Sequence, residues 1–182
     1  YAWAKNKSYG ALLEWLYQTG MRIGEAVALK WDNIELIDDV YIAHITGTLE
    51  YLRSRPIKSK STKTRAGMRD IELSNRAVEI LNFLKEYQND SEFIFESQSG
   101  TPILPNSINL FLRKAKKDLK INKPLTTHIF RHTHISKLAE LGVPLYVIQQ
   151  RVGHSTGKVT EQIYLHVTKK AKRKLVNKLD EL

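Results

Sequence analysis

Apolar residues recur at helical spacing along most of this chain, and one block between residues 34 and 73 interrupts that pattern with strand-forming residues. Val40–Ile45 is rich in β-branched and aromatic residues, and Asp38-Asp39 before it is a turn signal, so we predict two antiparallel strands there. A third strand is predicted over residues 68–73. One β block among helices indicates the α+β class: a mainly α-helical domain with a small antiparallel β-sheet or hairpin.

The helices can be placed from their start and stop residues. The first is predicted to run from a Ser8 N-cap to Gly20, which suits the left-handed position after a helix end, and a second covers residues 21–30. The remaining helices are predicted to begin at Ser74, at Asn106, at Thr126 or Thr127 with an end near Gly142, and at Pro144 with an end at Gly153.

Positive charge exceeds negative charge by a wide margin. The 182 residues include 29 Lys and Arg against 19 Asp and Glu, a formal charge of +10. Such an excess predicts a polyanionic partner, which DNA, RNA or a membrane surface could each supply. No apolar run reaches the eighteen or so residues of a membrane span, and no leader pattern opens the chain, so a soluble, unsecreted protein is expected. The absence of cysteine excludes disulfides, thiolate metal sites and a cysteine nucleophile.

Two segments concentrate the basic residues. Residues 53–69 contain seven Lys and Arg and no acidic residue, and we predict a basic hairpin or loop on a phosphate backbone; a mobile, solvated tip is the alternative. The helix that begins near Asn106 carries a second basic stripe opposite an apolar face that ends at Leu119. The candidate phosphate-contacting residues, which would be DNA-binding if the polyanion is DNA, are Lys58, Lys60, Arg65, Arg69, Arg113 and Lys116.

His128 and Arg131 lie three residues apart in a predicted helix, so both side chains can reach one small anion. A phosphate is the obvious candidate. His154 precedes Tyr164 by ten residues, in a segment that contains Gly153 and Gly157 and can therefore fold back. An acid–base group and a hydroxyl nucleophile could then flank the same phosphate, which indicates phosphoryl transfer through tyrosine.

Arg22 and Lys63 complete the set of candidate catalytic residues. Two arginines can clamp the nonbridging oxygens of a phosphodiester, although Arg22 could instead be solvated or paired with Glu25. Near neutral pH about one tyrosine in a thousand is ionised, so Tyr164 needs a base, which His128 or His154 could provide. Lys63 could protonate the leaving oxygen. A metal site built from the histidines is disfavoured because neither thiolates nor an ordered acidic partner accompany them.

Five motifs occur in an order and spacing that closely resemble the catalytic domain of tyrosine recombinases, the phage-integrase family, and most of all the integrases of phages and integrative mobile elements. They are TGMRIGEA at 19–26, KTRAGMRDI at 63–71, THIFRHT at 127–133, VGHS at 152–155 and IYLHV at 163–167. The resemblance covers about residues 8–170. It implies the α+β fold of the DNA breaking-rejoining enzymes.

The resemblance also implies a role for each candidate. Arg22 and Arg131 would bind the phosphate, with Glu25 supporting the first of them. Lys63 would protonate the leaving 5′ hydroxyl, and His128 would be a general base or hydrogen-bond partner. His154 would be a further phosphate ligand, and Tyr164 the nucleophile that forms a 3′-phosphotyrosyl bond.

The family resemblance further implies site-specific recombination that integrates or excises a phage or mobile element. It implies no metal and no nucleotide cofactor. The implied partners are double-stranded DNA, further copies in a synaptic tetramer when full-length, and an excisionase-type directionality factor, in the bacterial cytoplasm at the nucleoid. A type IB topoisomerase and a non-catalytic DNA-binding domain with a helix-turn-helix are the alternatives.

The sequence also suggests how the chain is organised. We expect a catalytic domain over residues 1–167 and a basic amphipathic tail helix over residues 168–182, with Leu175, Leu179 and Leu182 on one face. The core-binding and arm-binding domains that precede the catalytic domain in relatives are expected to be absent from this chain. A catalytic half alone should bind DNA weakly, with a steep salt dependence, and should be monomeric.

Overall fold

The structure, a computed structural model, describes residues 1–52, 55–59, 68–88, 91–153 and 158–179. Within these ranges the chain forms helices and five short strands. The helices are α1 Ala2–Lys5, α2 Lys7–Thr19, α3 Ile23–Val27, α4 Asn75–Tyr87, α5 Pro105–Asp118, α6 Thr127–Glu140, α7 Leu145–Val152 and α8 Lys158–Leu179. The strands are β1 Ile34–Ile37, β2 Val40–Ile45, β3 Thr48–Leu52, β4 Arg55–Ser59 and β5 Arg69–Glu72.

The predicted β block forms two antiparallel units. Strands β1, β2 and β5 make a three-stranded sheet in that order, and β3 pairs with β4 as a separate hairpin. The β1–β2 turn consists of Asp38 and Asp39, with φ of 47° and 64°. Both values lie in the left-handed region that a two-residue hairpin turn requires and that Asp tolerates. The three strands predicted from sequence are thereby confirmed, and β4, which belongs to the basic segment, pairs with β3.

Several helix starts differ from the prediction. Asn6, not Ser8, caps α2, because its side-chain oxygen accepts from the Tyr9 N–H at 2.9 Å. Leu104 precedes α5, whose first residue is Pro105, so Asn106 lies inside the helix. Proline favours this first position because it needs no N–H there. Ser74 does cap α4, where its hydroxyl accepts from the Ala77 N–H at 3.3 Å.

The second helix is shorter than predicted. It covers Ile23–Val27, and Arg22 is an extended residue just before it, with φ −73° and ψ 150°. Met21 and Arg22, which were predicted to be helical, therefore belong to the turn that precedes α3. The C-terminal helix is longer than predicted, because α8 begins at Lys158 and continues through residue 168 without a break. The segment with Tyr164 and the predicted tail share one helix.

Among the described residues the hydrophobic core has two parts. The larger surrounds α2, whose Leu12, Trp15 and Leu16 are fully buried. The smaller lies among α6, α7 and α8 and consists of Ile135, Ala139, Ile148 and Val152. Leu119 was expected to face inward, but it follows the last residue of α5 and is 50% exposed. In the part of the chain that is described, no helix has the length and apolarity needed to cross a membrane.

Candidate active site

Arg22 and Glu25 meet at the start of α3. The Glu25 carboxylate accepts from the Arg22 backbone N–H at 2.9 Å and from Arg22 Nη1 at 2.8 Å. An acidic side chain three residues into a helix suits this position, because it satisfies a backbone donor and faces the positive end of the helix dipole. The Arg22 side chain remains 40% exposed. The arginine is therefore both ion-paired and reachable from solvent.

Arg69 approaches the same carboxylate from β5. Its Nη1 and Nη2 donate to Glu25 Oε1 and Oε2 at 3.2 and 2.9 Å, and its Nε donates to the carbonyl of Arg151 at 2.6 Å. The side chain is 7% exposed. Arg69 was predicted to contact DNA from a basic loop, but the structure places its guanidinium inside the protein. An arginine in a basic run is easily taken for a solvated one, and the buried acidic partner lies far away in sequence.

Glu25 consequently accepts four hydrogen bonds, two from Arg22 and two from Arg69, which occupy all the acceptor positions of a carboxylate. Its side chain is 3% exposed. Burial alone would raise the pKa of this carboxyl, yet the hydrogen bonds and charges of Arg69 and Arg22 outweigh burial and hold the pKa below its ordinary value. Glu25 is thus a charged, saturated support at neutral pH.

Arg131 reaches the same region from α6. It is 3% exposed, its Nη1 donates to the carbonyl of Gly20 at 2.6 Å, and its Nη2 donates to the carbonyl of Val152. Burial lowers the pKa of this guanidinium to about 9, the positive charges of Arg22 and Arg69 add to the effect, and Glu25 opposes it. Even so, the group is protonated at neutral pH. Repulsion by other cations marks a place where an anion is favoured.

The three arginines converge on three consecutive backbone carbonyls. Arg69 donates to the carbonyl of residue 151, Arg131 to that of residue 152, and Arg22 Nη2 to that of Gly153 at 3.4 Å. These carbonyls end α7, where Gly153 adopts φ 66°. The last carbonyls of a helix lack partners within it and carry the negative end of its dipole, so cationic donors are favourable there. His154 follows directly in the sequence.

A further set of hydrogen bonds, which was not predicted from the sequence, joins α2, α6 and α7. Arg151 Nε donates to His134 Nε2 at 3.2 Å, so the proton of the imidazole is on Nδ1, which donates to the carbonyl of Tyr17 at 2.8 Å. Burial lowers the pKa of His134 to about 4, and the charge of Arg151 contributes. The histidine is therefore neutral. The position of His134, three residues after Arg131 on the same predicted helix, could have indicated from the sequence that it lies near the site.

Tyr164 lies on α8 and His128 on α6, two of the helices that border the smaller core. Tyr164 is half-buried on α8 and packs against the cluster that contains Val152, the residue whose carbonyl receives Arg131. His128 is exposed in the first turn of α6, one turn before Arg131. Packing against a fixed cluster orients the tyrosine relative to the end of α7, while His128 is accessible to a substrate.

The other predicted residues divide between described and undescribed parts of the chain. Lys60, Lys63, Arg65 and His154 lie outside the described residues. Lys58 belongs to β4, and on α5 Arg113 is exposed and Lys116 half-buried. Among the ranges that are described, no group of histidine and acidic side chains is arranged to hold a metal ion.

The charge balance of the cluster favours a phosphate. The guanidinium groups of Arg22, Arg69 and Arg131 face the single carboxylate of Glu25, which leaves two positive charges in excess among these four side chains. Guanidinium groups bind phosphate oxygens in a planar, bidentate geometry. Such groups can stabilise the charge that develops when an oxygen nucleophile attacks a phosphodiester, and Tyr164, half-buried on α8, is the candidate nucleophile.

Comparison with known proteins gives consistent matches. The model of the Phage integrase family matches residues 3–171. A probable integrase of prophage ps2 from Lactococcus lactis is 38% identical over all of this chain and half of that protein. The integrase of Staphylococcus phage L54a is 38% identical over 90% of this chain and 49% of its own length. The chain thus spans about half the length of the curated relatives it matches.

Solved structures share the fold. The Tn1549 transposon integrase, in complex with circular intermediate DNA, superimposes with a TM-score of 0.76 at 20% identity, over 96% of this chain and 61% of that one. The XerA recombinase gives a TM-score of 0.69 at 22% identity, over 97% and 58%. A lambda integrase tetramer bound to a Holliday junction gives 0.65 at 21% identity, over 89% and 43%. The mainly helical architecture with its small antiparallel sheet is the one these proteins have.

Proposed function

The chain belongs to the phage integrase family, and on that premise we propose that it is the catalytic domain of a tyrosine site-specific recombinase, which cleaves and rejoins DNA through a covalent 3′-phosphotyrosyl intermediate. The observation that carries the proposal is the convergence of Arg22 and Arg131 on the carbonyls of residues 153 and 152. Tyr164 packs against the small apolar cluster that includes Val152.

The reaction can be written with each group in a defined role. The Tyr164 oxygen attacks the phosphorus, a phosphotyrosyl bond forms, and the bond from phosphorus to the 5′ oxygen breaks. The tyrosine proton passes to His128 or His154, and the leaving 5′ oxygen takes a proton from Lys63. The arginines stabilise the pentacoordinate phosphorane, and attack by a 5′ hydroxyl from another strand reverses the steps. The phosphotyrosyl bond keeps the energy of the diester, so no cofactor is needed.

The proposed substrate is double-stranded DNA, and the full-length protein is proposed to assemble as a synaptic tetramer on it. The charge of +10 supports a polyanionic partner. The similar transposon integrase was solved with DNA, and the lambda integrase as a tetramer on a Holliday junction. The relatives from a prophage and a phage support integration or excision of such an element. An excisionase-type factor would set the direction, at the nucleoid in the bacterial cytoplasm.

The two alternatives are less well supported. In a helix-turn-helix the residues of α6 and α7 would be directed at the DNA groove. Here Arg131 and Arg151 instead bond to protein groups, Gly20 and His134 among them. A type IB topoisomerase would use similar chemistry, but the matched relatives are integrases and site-specific recombinases.

The experiment uses the full-length protein with a nicked suicide substrate that carries its recombination site. We expect a protein–DNA adduct that survives denaturing electrophoresis and that is absent in Tyr164→Phe. The matched control is Tyr146→Phe, which removes the hydroxyl of an exposed tyrosine on α7 and should leave the adduct unchanged. Arg22→Ala and Arg131→Ala should each slow cleavage by about a hundredfold or more, as when one transition-state donor is removed. An adduct that persists in Tyr164→Phe would sink the proposal.

A further inference from the structure

Arg69 occupies a place in the site that differs from those of the other two arginines. All three of its nitrogens donate inside the protein, to both oxygens of Glu25 and to the carbonyl of Arg151. Its side chain is 7% exposed, against 40% for Arg22. Arg131 is just as buried, at 3%, but its Nη1 and Nη2 donate to two backbone carbonyls, whereas Arg69 pairs with a carboxylate and engages all three of its nitrogens. A guanidinium that is neutralised and engaged in this way is poorly placed to bind DNA.

The groups that Arg69 holds are those on which the proposed catalytic residues depend. The Glu25 carboxylate receives two donors from Arg69 and uses its remaining acceptor positions for the side chain and backbone N–H of Arg22. Through the carbonyl of Arg151, Arg69 also holds the end of α7, where the next two carbonyls receive Arg131 and Arg22. One side chain thus ties β5 to α3 and to α7.

The planar shape of the guanidinium is what makes these contacts simultaneous. Two nitrogens at the end of the group meet the two carboxylate oxygens, and Nε points sideways to the carbonyl. A lysine in its place would supply a single ammonium group at one point. It could keep the charge beside Glu25 but could not fix the orientation of the carboxylate and hold the helix end as well.

We infer that Arg69 is a positioning residue of the strand-transfer site, which acts through Glu25 and the end of α7 and not by contact with DNA. This inference rests on the proposed function. Arg69 sets the orientation of Arg22 and the position of the backbone just before His154. A displacement of these groups by a fraction of an ångström weakens their contact with the phosphorane more than their contact with bound DNA.

The test measures single-turnover cleavage by the full-length protein and its DNA affinity over a range of salt concentrations. Arg69→Met should slow cleavage at saturating protein by about tenfold to a hundredfold, the scale of a small misplacement. DNA affinity and its salt dependence should stay as in the wild type. The control is Arg76→Met, because Arg76 forms surface ion pairs with Glu14 and Glu79, and it should cleave normally.

Arg69→Lys separates charge from geometry and serves also if the methionine variant does not fold. We expect it to be slow as well, because the charge is kept and the fork is lost. Wild-type cleavage by Arg69→Lys would overturn the inference. So would a salt dependence of log affinity reduced by about one in Arg69→Met, which indicates the loss of one phosphate contact.

Two further measurements test the route through Glu25. In the double variant Glu25→Gln/Arg69→Met the loss in rate should be smaller than the product of the single losses, since both changes break one connection. Losses that multiply would contradict the inference.

Amide hydrogen exchange in Arg69→Lys should accelerate at residues 20–25 and 151–153 but not in α4. Unchanged exchange at residues 20–25 and 151–153 would also contradict the inference.

The exchange measurement needs no DNA, so it tests the positioning role even if the wild type forms no adduct. A wild type without an adduct would sink the proposed function and leave the connection of Arg69 to be tested by exchange. A Tyr164-dependent adduct that forms at the normal rate in Arg69→Met would overturn this inference and leave the proposed function intact.

Discussion

Glu25 and Arg69 form a two-point ion pair in the interior, with the nitrogen and oxygen atoms 3.2 and 2.9 Å apart. The side chains are 3% and 7% exposed. A pair this deep gains little over a hydrophobic pair of the same size, but the loss of one partner leaves the other charge buried without compensation. The relationship therefore controls both the stability of the fold and the geometry of Arg22.

Glu25→Gln should lower the free energy of unfolding by about 3–5 kcal/mol, the cost of breaking a buried pair from one side. Urea denaturation would measure it. The matched control is Glu79→Gln, which breaks a solvent-exposed pair with Arg76 and should cost far less than Glu25→Gln. Equal effects of the two substitutions would show that the Glu25 pair is not buried as described.

His134 should make the stability depend on pH. Its folded pKa, about 4, lies below the unfolded value of about 6.5. Its contribution is therefore complete above pH 6.5 and is lost as pH falls toward 4, because the unfolded chain then binds a proton that the folded protein excludes. Between pH 6 and 5 the free energy of unfolding should fall by up to about 1.4 kcal/mol.

His134→Gln should remove most of that slope, as measured by denaturation at several pH values. His132→Gln is the control, because His132 is exposed and its pKa is lowered less, by burial first and then by His128 and Arg131. His44 titrates in the opposite sense. Hydrogen bonds from its ring to Asp70 and Glu35 raise its pKa, so its contribution is lost as pH rises above 6.5. A slope that persists in His134→Gln would contradict the prediction.

Gly20→Ala should destabilise the fold more than Gly142→Ala. Both glycines have a positive φ, 68° and 79°, so alanine costs about 1–2 kcal/mol at either position. At Gly20 an added Cβ would also lie 2.5 Å from Cδ2 of His134, whereas nothing lies within 4 Å at Gly142. Because His134 is pinned by two hydrogen bonds, we expect a further loss of about 1–3 kcal/mol. Thermal denaturation of both variants would decide it.

The basic face of α5 should contribute to DNA binding through phosphate contacts. Arg113→Gln and Lys116→Gln in the full-length protein should each reduce the slope of log affinity against log salt by about one. The loss of affinity should be the same for specific and unrelated DNA. Arg76→Gln is the control, since Arg76 is already paired with acidic residues. A slope that does not change would remove α5 from the DNA interface.

The features that follow from neighbouring residues could be predicted from sequence. The Asp38-Asp39 turn, the Ser74 cap and the left-handed Gly20 and Gly153 depend on local backbone geometry, and the structure has them where expected. The Arg22–Glu25 contact joins residues three positions apart and was one of two interpretations of Arg22. The prediction of Ser8 as the cap of α2 was wrong, because Asn6, two residues earlier, is also a capping residue type and it is the one that accepts from the Tyr9 N–H.

Contacts between distant segments could not be predicted. Arg69 and Glu25 are 44 positions apart, and Arg131 and Gly20 are 111 apart. Whether an arginine in a basic run is solvated or buried depends on the arrival of such a partner, and periodicity contains no information about it. The same holds for Arg151, whose partner His134 belongs to another helix.

The three acceptors at the end of α7 are main-chain carbonyls, and every amino acid has one. No substitution at residues 151–153 can delete an acceptor, although a substitution can shift the backbone. Mutation can thus remove an arginine donor directly, but it can affect the carbonyl acceptors only by moving the backbone. A saturation mutagenesis screen for recombination should therefore find loss of function for substitutions at Arg22, Arg69 and Arg131. At residues 151–153, the substitutions that are tolerated should be those that keep the backbone conformation, whatever the chemistry of their side chains.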